Sequence, residues 1–150
     1  MRQRTARRRR LQMIRSLQPT DHTSLLDVQR RAYQIEARLL ETADFPPLRE
    51  TIDDINIEAP TGFVYVIDDN ITGAVTVDAL TITRLVVDPA YFRQGIAQSL
   101  LQHLFEHSHA KHVMTGARNF PALALYARFG FTEVQRVFRD EIELVFLTRM

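Results

Sequence analysis

The feature that most constrains this chain is a change of hydrophobic period at Gly95. Before it, apolar residues come in short β-rich runs separated by turns. Phe63-Val64-Tyr65-Val66-Ile67 reads as one strand, Asp68-Asp69-Asn70 as a turn, Ile71 to Val77 as a second strand and Leu80 to Val87 as a third. After it, Ile96, Leu100 and Leu104, with Ala97, Leu101 and Phe105, line one face of a helix. Asp88-Pro89 ends the third strand, and Gly73 inside the second predicts a bulge or a close backbone approach. A meander followed by alternating strands and helices predicts a mixed α/β fold and argues against a doubly wound dinucleotide fold.

The flanks extend the pattern. Leu11 to Leu17 reads as a short strand, and Pro19-Thr20-Asp21 as a turn and helix cap. Leu25, Val28, Ala32 and Leu39, with Leu26, Tyr33, Ala37 and Leu40, fit a helix that Phe45-Pro46-Pro47 breaks. Pro47 suits the first turn of a second helix running through Leu48, Ile52 and Ile55. Downstream, Val113 to Thr115 is a brief strand, Pro121 to Phe129 a helix ended by Gly130, and Phe131–Phe138 and Ile142–Thr148 are two closing strands. The predicted order is β-α-α-β-β-β-α-β-α-β-β, one domain over residues 11–150.

A length of 150 residues is one domain's worth, and 45% hydrophobic residues suffice for a packed core. The net charge of +1 hides an asymmetry. Residues 1–20 carry seven arginines and no acid, while residues 21–150 carry 12 basic and 18 acidic side chains. Residues 1–10 hold six of those arginines, with no aromatic side chain among them to stack on bases. They are expected to form a solvated, disordered leader with no nucleic-acid role. The chain has no cysteine, which excludes disulfides, thiolate zinc sites and a cysteine nucleophile. No apolar run approaches the roughly 18 residues of a membrane span. Gln12 and Arg15 interrupt what would be a signal peptide's apolar region, so a cytoplasmic location is expected. His107, His109 and His112 are closely spaced, but they fall at the expected C-terminal end of a helix, where histidine suits the dipole; no metal site is expected from them.

The turn Phe92-Arg93-Gln94-Gly95-Ile96-Ala97 joins a strand to a helix. The first N–H groups of a helix lack internal partners, and its dipole adds about half a positive charge there. Gly95 presents no Cβ to an approaching ligand, Ala97 is nearly as small, and Arg93 adds a cation, so a pyrophosphate fits. Alone, the stretch equally describes an ordinary tight turn, because it lacks the complete G-x-G-x-x-G and P-loop patterns.

Two motifs change that reading. Leu85-Val86-Val87-Asp88-Pro89-Ala90-Tyr91-Phe92-Arg93-Gln94-Gly95-Ile96-Ala97 resembles the acyl-CoA-binding segment of the GNAT acetyltransferase superfamily, a strand followed by a Q/R-x-x-G-x-G/A turn and a helix. Asn119-Phe120-Pro121-Ala122-Leu123-Ala124-Leu125-Tyr126-Ala127-Arg128-Phe129-Gly130-Phe131 resembles its second signature, N-x-x-A-x-x-x-Y-x-x-x-G-F. The two are independent and lie in the superfamily's order. Phe92 stands where the pattern has Gln or Arg, so the phosphate grip is expected from backbone amides, helped by Arg93.

The resemblance implies an α/β single-domain, GNAT-like fold with a mixed, mostly antiparallel sheet flanked by about four helices. It implies acetyl-CoA as cosubstrate, with no metal, and direct N-acetyl transfer to a primary amine. The strand holding Leu85, Val86 and Val87 is expected to bind the pantetheine arm and to splay from the strand near Val113. Phe92, Arg93, Gln94, Gly95, Ile96 and Ala97 are expected at the pyrophosphate, with Asn119, Ala122 and Tyr126 also on the cofactor.

Transfer to an amine needs a base, an oxyanion donor and an acid for the leaving thiolate. Tyr126, protonated at neutral pH, is the expected acid, its alternative being plain packing. The backbone N–H of Val86 or Val87 is the expected oxyanion donor. Glu36, Glu41, Asp44 and Asp78 are base candidates that the sequence does not separate. The acceptor is a small-molecule amine or a lysine-type amine, with residues 33–48 shaping its pocket, and a homodimer is an expectation by analogy. The rival readings are a non-catalytic CoA-binding sensor and a basic-arm nucleic-acid module on the same fold.

Overall fold

Alternation along the central strands decides which side chain belongs to which layer. On β2 (Thr61–Ile67), Phe63, Tyr65 and Ile67 turn to one face while Val64 and Val66 turn to the other. On β3 (Asn70–Asp78), Val75 and Ala74 divide the same way, as do Leu85 and Val86 on β4 (Thr81–Val87). Both faces are apolar, so both must be covered, and the helices do this. The structure is a computed structural model describing residues 11–150; the arginine-rich leader lies outside the described residues.

Helix α1 (His22–Leu39) and the short α2 (Ile52–Glu58) cover one face, where Leu25, Leu26, Val28 and Ile55 meet Val64, Ala74 and Val86. Helices α3 (Ile96–His107) and α4 (Phe120–Arg128) cover the other, burying Ile96, Leu100, Leu101, Leu104, Leu125 and Tyr126. The sheet has seven strands in the order β1-β2-β3-β4-β5-β7-β6, with β1 Gln12–Ser16, β5 His112–Gly116, β6 Thr132–Arg139 and β7 Ile142–Thr148. Every pairing is antiparallel except β4 with β5. This is the mixed, mostly antiparallel α/β architecture expected, with four α-helices among the described residues.

Gly73 turns out to be both things its sequence context allows. The register slips opposite it, between Tyr65 and Val66. A Cβ there would lie 2.8 Å from Ile96 Cγ2 and 3.2 Å from Leu100 Cδ1, so the glycine lets α3 sit directly on β3. One helix boundary differs from expectation. Pro47 does not open α2; Pro46–Arg49 forms a separate 3-10 turn, Glu50 is extended, and α2 starts after Thr51. Thr51 and Asp54 cap each other reciprocally, which fixes the helix start at Ile52.

Candidate functional site

The sheet is incomplete at its centre. β4 and β5 pair only at Thr81↔His112 and Ile82↔Val113. Beyond Ile82, β4 stays on β3 as far as Val87, while β5 stays on β7 as far as Gly116. The two strands part, and a cavity of about 910 Å³ opens between them. The turn at Arg93 and Gly95 lies at one part of its wall, Asn119 and Tyr126 of α4 at another, and Tyr33, Glu36 and the Phe45-Pro46-Pro47 segment at a third.

Strand geometry orients the exposed edge of β4. The Asp88 N–H donates to the Thr72 carbonyl at 2.8 Å, on the β3 side. N–H directions alternate along a strand, so Val86 also faces β3, whereas Leu85 and Val87 present their N–H groups to the open edge. Of the two valine amides, that of Val87 is the one directed toward the gap.

The Phe92–Ala97 turn has the shape an anion needs. Arg93 (φ 64°) and Gly95 (φ 75°) are both left-handed, which turns the chain sharply into α3. The first helical bond runs from Ser99 N–H to the Gly95 carbonyl, so the N–H groups of Ile96, Ala97 and Gln98 have no partner inside the helix. A Cβ built on Gly95 meets no protein atom within 4 Å, so open space lies over this backbone. Phe92 is 44% exposed at the cavity rim and contributes an apolar wall where the motif has a polar side chain.

Tyr126 is buried and packs edge-on against Phe131 (centroids 5.3 Å apart) while also lining the cavity. Packing and exposure to the cavity therefore coexist. Burial raises its phenol well above the usual range, with smaller contributions from Glu36 and Tyr33, so it keeps its proton. Asn119 caps α4, its Oδ1 accepting from the Ala122 N–H at 3.3 Å. Its side chain also lies close enough to the Glu36 carboxylate to lower that group's pKa. Cap and cavity contact are again compatible.

The base candidates now separate. Glu36 lines the cavity from α1, and burial pushes its carboxyl above the ordinary range against the lowering effect of Asn119. Glu41 is exposed, pairs with Arg118 and lines a separate hollow. Asp44 is exposed and pairs with Arg49. Asp78 is exposed at the end of β3 and does not line the cavity.

Of two further lining residues, Tyr33 opens the 33–48 stretch expected to shape the pocket, while Arg84 was not singled out from sequence. Tyr33 lies one helical turn before Glu36 and packs against Phe45; the i, i+3 spacing was the available signal. Arg84, with a side chain 5% exposed, pairs with Glu50 and Glu58 and donates to Gln29 at 3.0 Å. No local pattern could show this, because its partners lie on α1, on α2 and in the segment before α2. Of the three histidines read as a possible metal run, His112 sits on β5 beside Thr148 and His109 is exposed. The described residues that do converge are His103, Glu106 and His107. Among the described residues no helix is long and apolar enough to cross a membrane.

Residues 56–133 match the family model described as an acetyltransferase (GNAT) domain. UPF0157 protein YqkA of Bacillus subtilis (strain 168) is 33% identical over 135 residues, covering 83% of this chain and 39% of that protein. The ribosomal protein bS18-alanine N-acetyltransferase of Escherichia coli (strain K12) is 39% identical over 64 residues, covering 39% of this chain and 43% of that enzyme. The chain thus spans about two fifths of the length of these curated relatives in the matched regions. Among solved structures, the PaiA N-acetyltransferase from Thermoplasma acidophilum in complex with coenzyme A superposes with a TM-score of 0.73 at 16% identity, covering 93% of this chain and 99% of that one. At that identity the likeness concerns the fold.

Proposed function

The chain belongs to the GNAT acetyltransferase family, and from that premise we propose that it transfers an acetyl group from acetyl-CoA directly to a primary amine. One observation carries the reading: a single cavity joins a helix-start anion turn, an unpaired strand edge, a buried tyrosine and a half-buried carboxylate. The residues fit the cosubstrate. Arg93 to Ala97 offer amides and open space for a pyrophosphate, with Phe92 beside it as an apolar rim. The open edge of β4, with the Leu85 N–H, offers a rail for the amides of the pantetheine arm. Acetyl-CoA supplies the activated acyl group as a thioester.

The chain's own groups do the rest. Glu36 accepts a proton from the incoming ammonium, directly or through water, leaving a neutral amine. The Val87 N–H donates to the thioester oxygen as it gains charge. Tyr126 donates its proton to the departing thiolate. Asn119 and Ala122 flank the arm at the start of α4. With no cysteine in the chain, no cysteinyl-enzyme stage is available. The acceptor side, walled by Tyr33, Leu39 and Phe45-Pro46-Pro47 with the carboxylates of Glu36 and Asp140 also in the lining, suits an amine with an apolar stem. A small-molecule amine, a lysine-type amine or a protein N-terminus meets that description, and a cytoplasmic setting goes with it. The N-terminal choice draws support from the relative named as acting on the alanine of a ribosomal protein.

An amine panel with acetyl-CoA, following free thiol release, tests this. The expected outcome is turnover on at least one amine class, lowered roughly 10²–10⁴-fold by Tyr126→Phe while CoA binding persists. CoA binding with no turnover on any amine would favour the sensor reading.

A further inference from the structure

Apart from the acyl-transfer cavity, α3 carries a second cluster of donor groups. His103, Glu106 and His107 occupy positions i, i+3 and i+4, which share one helix face. One donor atom from each lies within 4.8 Å of the others. None of the three lines the cavity.

The two imidazoles are prepared in an informative way. His107 Nδ1 lies 2.8 Å from the His103 carbonyl oxygen. A carbonyl only accepts, so the proton of this bond sits on Nδ1, and Nε2 keeps an outward lone pair in the neutral ring. Backbone anchoring of one ring nitrogen is the arrangement that fixes metal-ligating histidines. His103 stacks on His107 with centroids 4.2 Å apart, and Phe63 of β2 packs edge-on to His103 at 4.5 Å. The rings are thus held side by side by neighbours on two elements. Glu106 has no ion pair or hydrogen bond among the described residues. All three donors lie toward the C-terminal end of α3, where the helix dipole favours a cation.

We propose that His103, Glu106 and His107 form a zinc-class divalent metal site on the flank of α3 beside Phe63 of β2, separate from the acyl-transfer cavity. Two imidazoles and a carboxylate suit zinc or a neighbouring first-row ion, whereas magnesium and calcium take all-oxygen sets. A tetrahedral ion with bonds of about 2.0–2.1 Å sets its donors roughly 3.4 Å apart. Glu106 is exposed and can rotate toward the two rings to close that distance. Water completes the fourth position.

The test titrates the untagged, chelator-treated full chain with zinc chloride by calorimetry and follows melting, with cobalt(II) as a spectroscopic probe. One equivalent is expected to bind, to raise the melting temperature by about 5–10 °C at a hundredfold excess over Kd, and to give the visible bands of a low-coordinate cobalt site. His107→Ala and His103→Ala are expected to weaken binding roughly a hundredfold and Glu106→Gln about tenfold, while His109→Ala leaves it unchanged. His107→Ala and Glu106→Gln alter exposed side chains, so metal-free melting near that of the parent chain checks that they fold. Absence of saturable zinc binding, or binding that survives His107→Ala, overturns the proposal.

Discussion

Glu36 shows how position converts an ordinary side chain into a chemical group. Burial raises its carboxyl, and Asn119 offsets only part of that rise. A base must be ionised, so the rate falls as pH drops through the folded pKa. Because that value is raised, the acid limb of kcat/KM is expected at higher pH than an exposed glutamate gives. Glu36→Gln is expected to abolish the limb and lower kcat roughly 10²–10⁴-fold; Glu41→Gln, on an exposed carboxylate paired with Arg118, changes neither. A pH–rate profile of both variants checks this, and a Glu36→Gln profile that keeps its acid limb removes Glu36 from the role. The stability sign follows from the same shift. The folded carboxyl holds its proton to higher pH than the unfolded one, so its contribution is complete below the unfolded pKa and is lost as pH rises through the folded value.

At the scale of elements, α3 depends on glycine at two places for different reasons. Gly95 starts the helix with φ 75° beneath open space. Gly95→Val is expected to abolish CoA binding at a stability cost of only about 1–2 kcal/mol, since a Cβ there meets no atom beyond the adjacent residues and the strain is that of one left-handed residue. Calorimetric CoA titration beside thermal melting checks this, and unaltered CoA affinity removes the phosphate site from this turn. Gly73 lies under the same helix with no such space. Gly73→Ala is expected to destabilise by about 1–3 kcal/mol, because its Cβ falls 2.8 Å from Ile96 Cγ2 on the first turn of α3. Urea unfolding measures it. The strands and helices themselves were legible because periods of 2 and 3.6 report burial directly. The break at Glu50 and Thr51 was not, because Pro47 carries a strong local signal and the competing Thr51–Asp54 cap is equally local.

Across the whole molecule, the Arg84 cluster joins the layers. From β4 it reaches Gln29 on α1, Glu50 after the 3-10 turn and Glu58 at the end of α2. Gln29, 1% exposed, interrupts an otherwise apolar helix face because it faces this guanidinium. Arg84→Ala leaves Glu50 and Gln29 without their cation and is expected to cost about 2–4 kcal/mol, with Arg84→Lys recovering little because one ammonium cannot replace the fork. Urea midpoints test this; a change within about 0.5 kcal/mol would mean the cluster is energetically neutral. The same cluster holds the wall beside Phe45-Pro46-Pro47, so KM for the amine is expected to rise in Arg84→Ala more than kcat falls.

By itself the sequence determined the order of elements, the apolar runs of the central strands, the turn from strand to helix at Phe92–Ala97 and the placing of Asn119 and Tyr126 one signature later. Those features are local: a period, a φ preference or a short motif is complete within a dozen residues. Tertiary structure alone decided that Glu36, and not Glu41 or Asp78, shares the cavity with Tyr126, that the Val87 amide faces the gap, and that Arg84 is buried. Each depends on residues far apart in the chain being brought together. Burial, charge pairing and edge direction are properties of those meetings, and no stretch of the chain carries them before it folds.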